Sequence, residues 1–167
     1  VTEMNVDNLT NEGDLTFGGI STSNYCAGGV IGSLKDDVTK LYNNGKLTFG
    51  GESKAEYRAG GVVGFIDKAS SDDEGPASLK TAENTGAVTF GGTAKTAYYA
   101  GDVIGYTNYP NESLTNGGVL TFGGTATTEY YAGGVAGAVA AESTSFENSG
   151  ALTYEATSTT AYHIGGV

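Results

Sequence analysis

The 167-residue chain has one cysteine, one histidine, two prolines and no tryptophan, and no run of apolar residues long enough to cross a bilayer as a helix. A single thiol, Cys26, cannot close an intrachain disulfide, and a single imidazole, His163, leaves no Cys/His cluster to hold zinc. Basic residues are also scarce. Eight Lys and Arg stand against 19 Asp and Glu, for a net charge of −11. That sign repels phosphate backbones and anionic lipid, so the expectation is no nucleic-acid partner and no membrane insertion. No charged-then-apolar leader precedes the first polar stretch, so any initiator and signal peptide are expected to have been removed or to lie outside this segment.

What the chain has in excess is glycine, 28 residues, together with 11 tyrosines. Glycine at this level without order would suggest disorder, but here it recurs at fixed slots between short apolar runs that can be buried. Aligning the chain on itself puts Gly13, Gly45, Gly86, Gly118 and Gly150 in one column, at spacings of 32, 41, 32 and 32 residues. Each copy reads Asn-x-Gly-x-(Leu/Val)-Thr-(Phe/Tyr), followed in four of five copies by Gly-Gly. After a polar stretch comes Tyr-x-(Ala/Ile)-Gly-(Gly/Asp)-Val. The long spacing is a nine-residue insertion near 67–76, whose Ser, Asp, Gly and Pro content is loop chemistry. The chain is therefore a single repeat domain, 1–167, with units at about 1–32, 33–73, 74–105, 106–137 and 138–167.

Leu9, Asn11, Gly13, Leu15 and Phe17 share one parity and Thr10, Glu12, Asp14 and Thr16 the other, the period of a half-buried strand. With Leu and Phe inward, Asn11, Asn43, Asn84, Asn116 and Asn148 also point inward and stack as an amide ladder. The segment Ala27–Leu34 and its equivalents read as one further strand, with glycines where neighbouring backbones come close. Asp102 replaces the second glycine of this segment in one copy, which suggests that its parity faces water. A unit of 32 residues with two or three short strands cannot bury its apolar face alone, whereas stacked units bury a continuous core. The expected fold is all-β, a parallel β-helix (β-solenoid) of about five coils. A propeller blade needs ~40 residues and four strands, more than this repeat provides.

The stretches Gly28–Gly32 (GGVIG), Gly60–Gly64 (GGVVG) and Gly133–Gly137 (GGVAG), each followed by an N-x-G-x-(Leu/Val)-Thr strand, resemble GLUG-type repeats. The resemblance covers all five copies, although the spacer is longer than in the commonest form. It implies a right-handed parallel β-helix of a large secreted or cell-surface protein, with structural or adhesive use, and it brings no catalytic residue.

A glycan-cleaving β-helix needs acid and base carboxylates grouped on one coil face, and no such group is present. Asp36 with Asp37, and Asp72, Asp73 and Glu74, read as solvated loop carboxylates; weak calcium binding is the alternative, though neither run has calcium-loop spacing. His163 occupies a slot held elsewhere by Cys26, Arg58, Tyr99 and Tyr131, so no repeat-placed partner completes a triad, and the slot varies as an exposed one does. Tyr25, Tyr57, Tyr98, Tyr130 and Tyr162 recur in every copy. They are either a stacked structural column or a ring platform that binds sugar. Thr16, Thr48, Thr89, Thr121 and Thr153 form a further column, but a single threonine per coil is too few for an ice-binding face. Two N-x-S/T acceptors, at Asn8 and Asn111, fall in stretches that read as loops or strand edges and so as possible glycosylation sites.

Val1 aligns with Ser33 and Val167 with Val30, so the chain starts and stops at nearly the same phase, without capping segments. The expectation is either a slice of a longer array or end-to-end self-association into a fibre. Together these features predict a noncatalytic, extracellular, structural or adhesive solenoid that needs no cofactor. The alternative is a carbohydrate-binding module using the tyrosine face, with a glycan or cell-surface ligand as partner.

Overall fold

In a computed structural model, residues 6–35, 37–67 and 79–167 are described, and all of the regular structure among them is strand. The fold is a parallel β-solenoid of about five coils. One coil passes through five short strands, which in the second copy are Val38–Asn43, Leu47–Phe49, Glu52–Ser53, Tyr57–Gly60 and Val63–Ile66. We call the sheets that these strands join A to E, in that order. Sheets A to D each hold five strands and sheet E four. Every pairing is parallel and in repeat register: Asn11 lies beside Asn43, Leu15 beside Leu47, Tyr25 beside Tyr57 and Val63 beside Ile31.

The nine-residue insertion does not disturb this register. Ile66 pairs with Leu34 before it and Leu79 pairs with Val38 after it, so the extra residues are confined between Ile66 and Leu79. Most of that segment lies outside the described residues.

The core is divided in two along the axis. Leu47, Phe49, Tyr57 and their equivalents from sheets B, C and D fill one half; Leu41, Ile66 and the turn valines Val62, Val103 and Val135 fill the other, between sheets A and E. Phe17, Phe49, Phe90, Phe122 and Tyr154 form a continuous stack with ring centroids 4.7–5.2 Å apart. Burying each such ring contributes roughly 1.5–3 kcal/mol and each stacked pair about 0.5–1.5 kcal/mol more. One coil cannot collect these pair energies without its neighbour, which is why the fold propagates by stacking.

Two sequence expectations change here. The segment Ala27–Leu34 is two strands, Tyr25–Gly28 in sheet D and Ile31–Leu34 in sheet E, joined by a turn that points into the molecule. Sheet E then doubles back against sheet D with almost nothing between their backbones: a Cβ on Gly64 would sit 2.6 Å from the carbonyl oxygens of Ala27 and Gly32. Asp102 lies in this inward turn and is fully buried rather than facing water. The short sheet C strand, from Glu52 to Ser53 and its equivalents, lies in what reads from sequence as a polar spacer. It follows the Gly50-Gly51 corner, where Gly51 has φ +91° and a Cβ would lie 2.6 Å from the Gly19 carbonyl oxygen.

Candidate functional site

The recurring polar and aromatic residues divide between the interior and the outer faces. The asparagine column is inside. Asn11 Nδ2 donates to Asn43 Oδ1 at 2.7 Å, Asn43 Nδ2 to Asn84 Oδ1 at 2.5 Å, and Asn116 Nδ2 to Asn148 Oδ1 at 2.7 Å. Several members also tie down the following turn, as Asn43 Nδ2 does by donating to the Gly45 carbonyl at 2.9 Å. The ladder is rerouted once: Asn84 Nδ2 donates to Asp102 Oδ1, at 2.8 Å, instead of to the next asparagine. Asp102 Oδ2 is buried without a hydrogen-bond partner. Burial without a compensating cation pushes this carboxyl well above the usual carboxylate range, against the opposing pull of the Asn84 amide.

The tyrosine column is inside too. Tyr57, Tyr98 and Tyr130 have no exposed surface, and Tyr25, Tyr57, Tyr98 and Tyr130 stack at 4.6–4.7 Å. Tyr162 meets Tyr130 edge-on at 5.2 Å. The hydroxyls of Tyr25, Tyr57 and Tyr130 donate to the carbonyls of Gly18, Gly50 and Gly123, which locks sheet D to the Gly-Gly corner. A buried ring offers no face to a sugar, so Tyr57, Tyr98 and Tyr130 do not form the ligand platform of the sequence-based alternative; Tyr25 and Tyr162, in the terminal coils, are half-buried. Ala27, Ala59, Ala100 and Ala132 share this inward parity and are also buried.

The neighbouring outward column is Cys26, Arg58, Tyr99, Tyr131 and His163. Tyr99, Tyr131 and His163 stack at 4.9 and 4.5 Å, and the Arg58 guanidinium lies 4.0 Å from the centre of the Phe65 ring while pairing with Glu56. Tyr131 donates to Glu129, a bond that holds its phenol proton up to about pH 12. Burial raises the Cys26 thiol, with Arg58 opposing. Because these rings lie face to face along the axis, each covers its neighbour and presents mainly an edge to solvent. Stacking on a sugar needs a free face.

The other sequence candidates are placed as follows. The threonine column Thr16, Thr48, Thr89, Thr121 and Thr153 is in register along sheet B, alternating in the three middle coils with buried Leu or Val and Phe. Asn8 is exposed, in the strand Val6–Asn11. Asn111 is buried, with Nδ2 donating to the Tyr109 carbonyl at 2.8 Å, so the folded chain has no room for a glycan there. Asp36 and Asp72, Asp73 and Glu74 lie outside the described residues, among which no three His, Cys, Asp or Glu side chains group to hold a metal.

One face escaped the sequence reading, the outside of sheet C. Glu52, Thr93 and Thr125 occupy successive rungs, and Lys54, Lys95 and Thr127 the adjacent column. These residues line a surface cavity of about 360 Å³. Lys54 is paired with Glu52, whereas Lys95, one rung on, has no acidic partner among the described residues. All eight Lys and Arg of the chain fall between Lys35 and Lys95, so beyond this cavity the later coils carry no Lys or Arg. Column-by-column alignment of the polar spacer is the signal that exposes this pair.

The fold and these faces define a parallel β-solenoid whose columns are built for coil-to-coil contact. No family model, curated protein or solved structure matches the chain.

Proposed function

We propose that the chain is a noncatalytic structural or adhesive solenoid of a secreted or cell-surface protein, serving as a stalk or filament element. The observation that supports this reading is where the repeat spends its recurring side chains. Asn, Phe and Tyr go to axial ladders that stiffen the rod, while the outward column Cys26, Arg58, Tyr99, Tyr131 and His163 changes from coil to coil. A rod built in this way holds whatever is attached to it at a fixed distance. Among the described residues each coil joins the next through parallel, in-register backbone pairing, so the contact that holds one coil to another is the same along the rod. The GLUG-like motifs agree with an extracellular setting.

The test uses the native source. Antibody against the chain should label intact, unpermeabilised cells or their secreted fraction, and beads coated with the chain should adhere to an extracellular substratum. Labelling confined to permeabilised cells would refute the surface reading.

A further inference from the structure

We infer that the outer face of sheet C across the second, third and fourth coils is a subsite for a carboxylated sugar of the uronate or sialate class. The inference deepens the adhesive reading above and rests on it. The cavity of about 360 Å³ is of the size that holds a small ligand. It spans three rungs, so it extends roughly 10 Å along the axis at ~4.8 Å per rung. Its two columns differ in chemistry. Lys54 and Lys95 stand in consecutive rungs, and like charges so placed repel each other. Glu52 neutralises Lys54 from within the cavity, which leaves Lys95 as the cation that an incoming anion would meet.

The same cavity holds a carboxylate acceptor, Glu52, and the hydroxyls of Thr93 and Thr125. A ligand that satisfies both columns must carry an anionic group for Lys95 and neutral hydroxyl donors for Glu52 and the threonines. A sugar carboxylate combines them. A polyacidic peptide supplies carboxylates but few hydroxyls, and a densely sulfated glycan would crowd negative charge against Glu52 on a chain of net charge −11. The floor needs no ring face, in keeping with the buried and edge-on aromatic columns elsewhere.

Titration calorimetry on the intact chain at low ionic strength tests this with trigalacturonate, its methyl ester, sialyllactose and a disulfated disaccharide. At least one of the two carboxylated probes should bind, with affinity falling as salt is added. For trigalacturonate, esterification should cost about tenfold, since it removes only the charge. Lys95→Gln should weaken carboxylate binding by about tenfold while the circular dichroism remains native. Equal binding of ester and acid, no effect of Lys95→Gln, tighter binding of the disulfated probe, or no binding of either carboxylated sugar would overturn the subsite. Beads that still adhere while neither sugar binds would refute the subsite and leave the adhesive reading standing. Sugar binding without bead adhesion would do the reverse.

Discussion

Asp102 is the position where the solenoid departs most from its own rule, because a carboxyl stands where Gly29, Gly61, Gly134 and Gly166 stand in the other copies. It is fully buried, accepts one hydrogen bond from Asn84 and leaves Oδ2 unpartnered. An orphaned buried polar atom costs about 1–3 kcal/mol. The folded-state pKa lies above the unfolded value, so the acid form is the one the fold favours. Stability from this group is therefore complete below the unfolded pKa near 3.8 and is lost as pH rises through the folded one, at about 1.4 kcal/mol per pH unit between the two. Asp102→Asn keeps the shape and the acceptor for Asn84 without the charge. We expect the variant to gain on wild type as pH rises above 3.8, by about 1.4 kcal/mol per pH unit until the folded-state pKa is passed, because its amide leaves a polar atom unpartnered just as the carboxyl does but never has to ionise, and the gap to be smallest at or below pH 3.8. Urea unfolding followed by far-ultraviolet circular dichroism measures the gap, since the chain has no tryptophan to report by fluorescence. Taking wild type minus variant at each pH cancels the general gain from titrating surface carboxylates. A gap that stays constant from pH 4 to 7 would mean the carboxyl titrates normally, and the burial argument would fail.

Three further outcomes follow from the same geometry. Tyr57→Phe loses the hydroxyl bond to the Gly50 carbonyl and should cost about 1 kcal/mol in urea unfolding, whereas Tyr162→Phe, which removes a buried hydroxyl without a partner, should stabilise the chain, by up to about 1–3 kcal/mol. Gly64→Ala should be severely destabilising because its Cβ would strike the Ala27 and Gly32 carbonyls. Gly18→Ala, with nothing within 4 Å and no positive φ, should be neutral or stabilising by about 0.4–1 kcal/mol, as thermal melts would show. Versions with three, four and five copies should show unfolding midpoints that rise with copy number, and identical midpoints would contradict nearest-neighbour stacking.

Sheet B and the last residues of each sheet A strand were legible in the sequence because they have one inward and one outward parity: Leu47 and Phe49 against Thr48 leaves a single way to face the strand, and Leu41 and Asn43 share that inward parity. The asparagine ladder followed from that same parity. Sheets D and E were not legible in this way, since Ala27 to Leu34 carries apolar residues on both parities. A strand buried on both sides and a pair of strands folded back on each other share that pattern. The clue was glycine density. Gly28, Gly29, Gly32 and their equivalents are more closely spaced than a single strand tolerates, and they mark an inward turn. Asp102 was misplaced for the same reason, because a charged residue in an unseen interior turn reads as exposed. The cavity on sheet C was hidden because it exists only across coils: Lys54 and Lys95 are 41 residues apart in sequence, and only the register makes them neighbours.

The asparagine ladder has one more property, its direction. Asn11, Asn43 and Asn116 each donate to the asparagine of the following coil, and Asn84, which donates to Asp102 instead, does not reverse the sense. The column is a one-way series of amide dipoles, with acceptor oxygens toward the first coil and donor nitrogens toward the last. Such a series can be extended only head to tail, because a coil added upside down would set donor against donor. The solenoid therefore has a polarity, as an actin strand or a microtubule does, and anything longer built from this repeat inherits two chemically different ends.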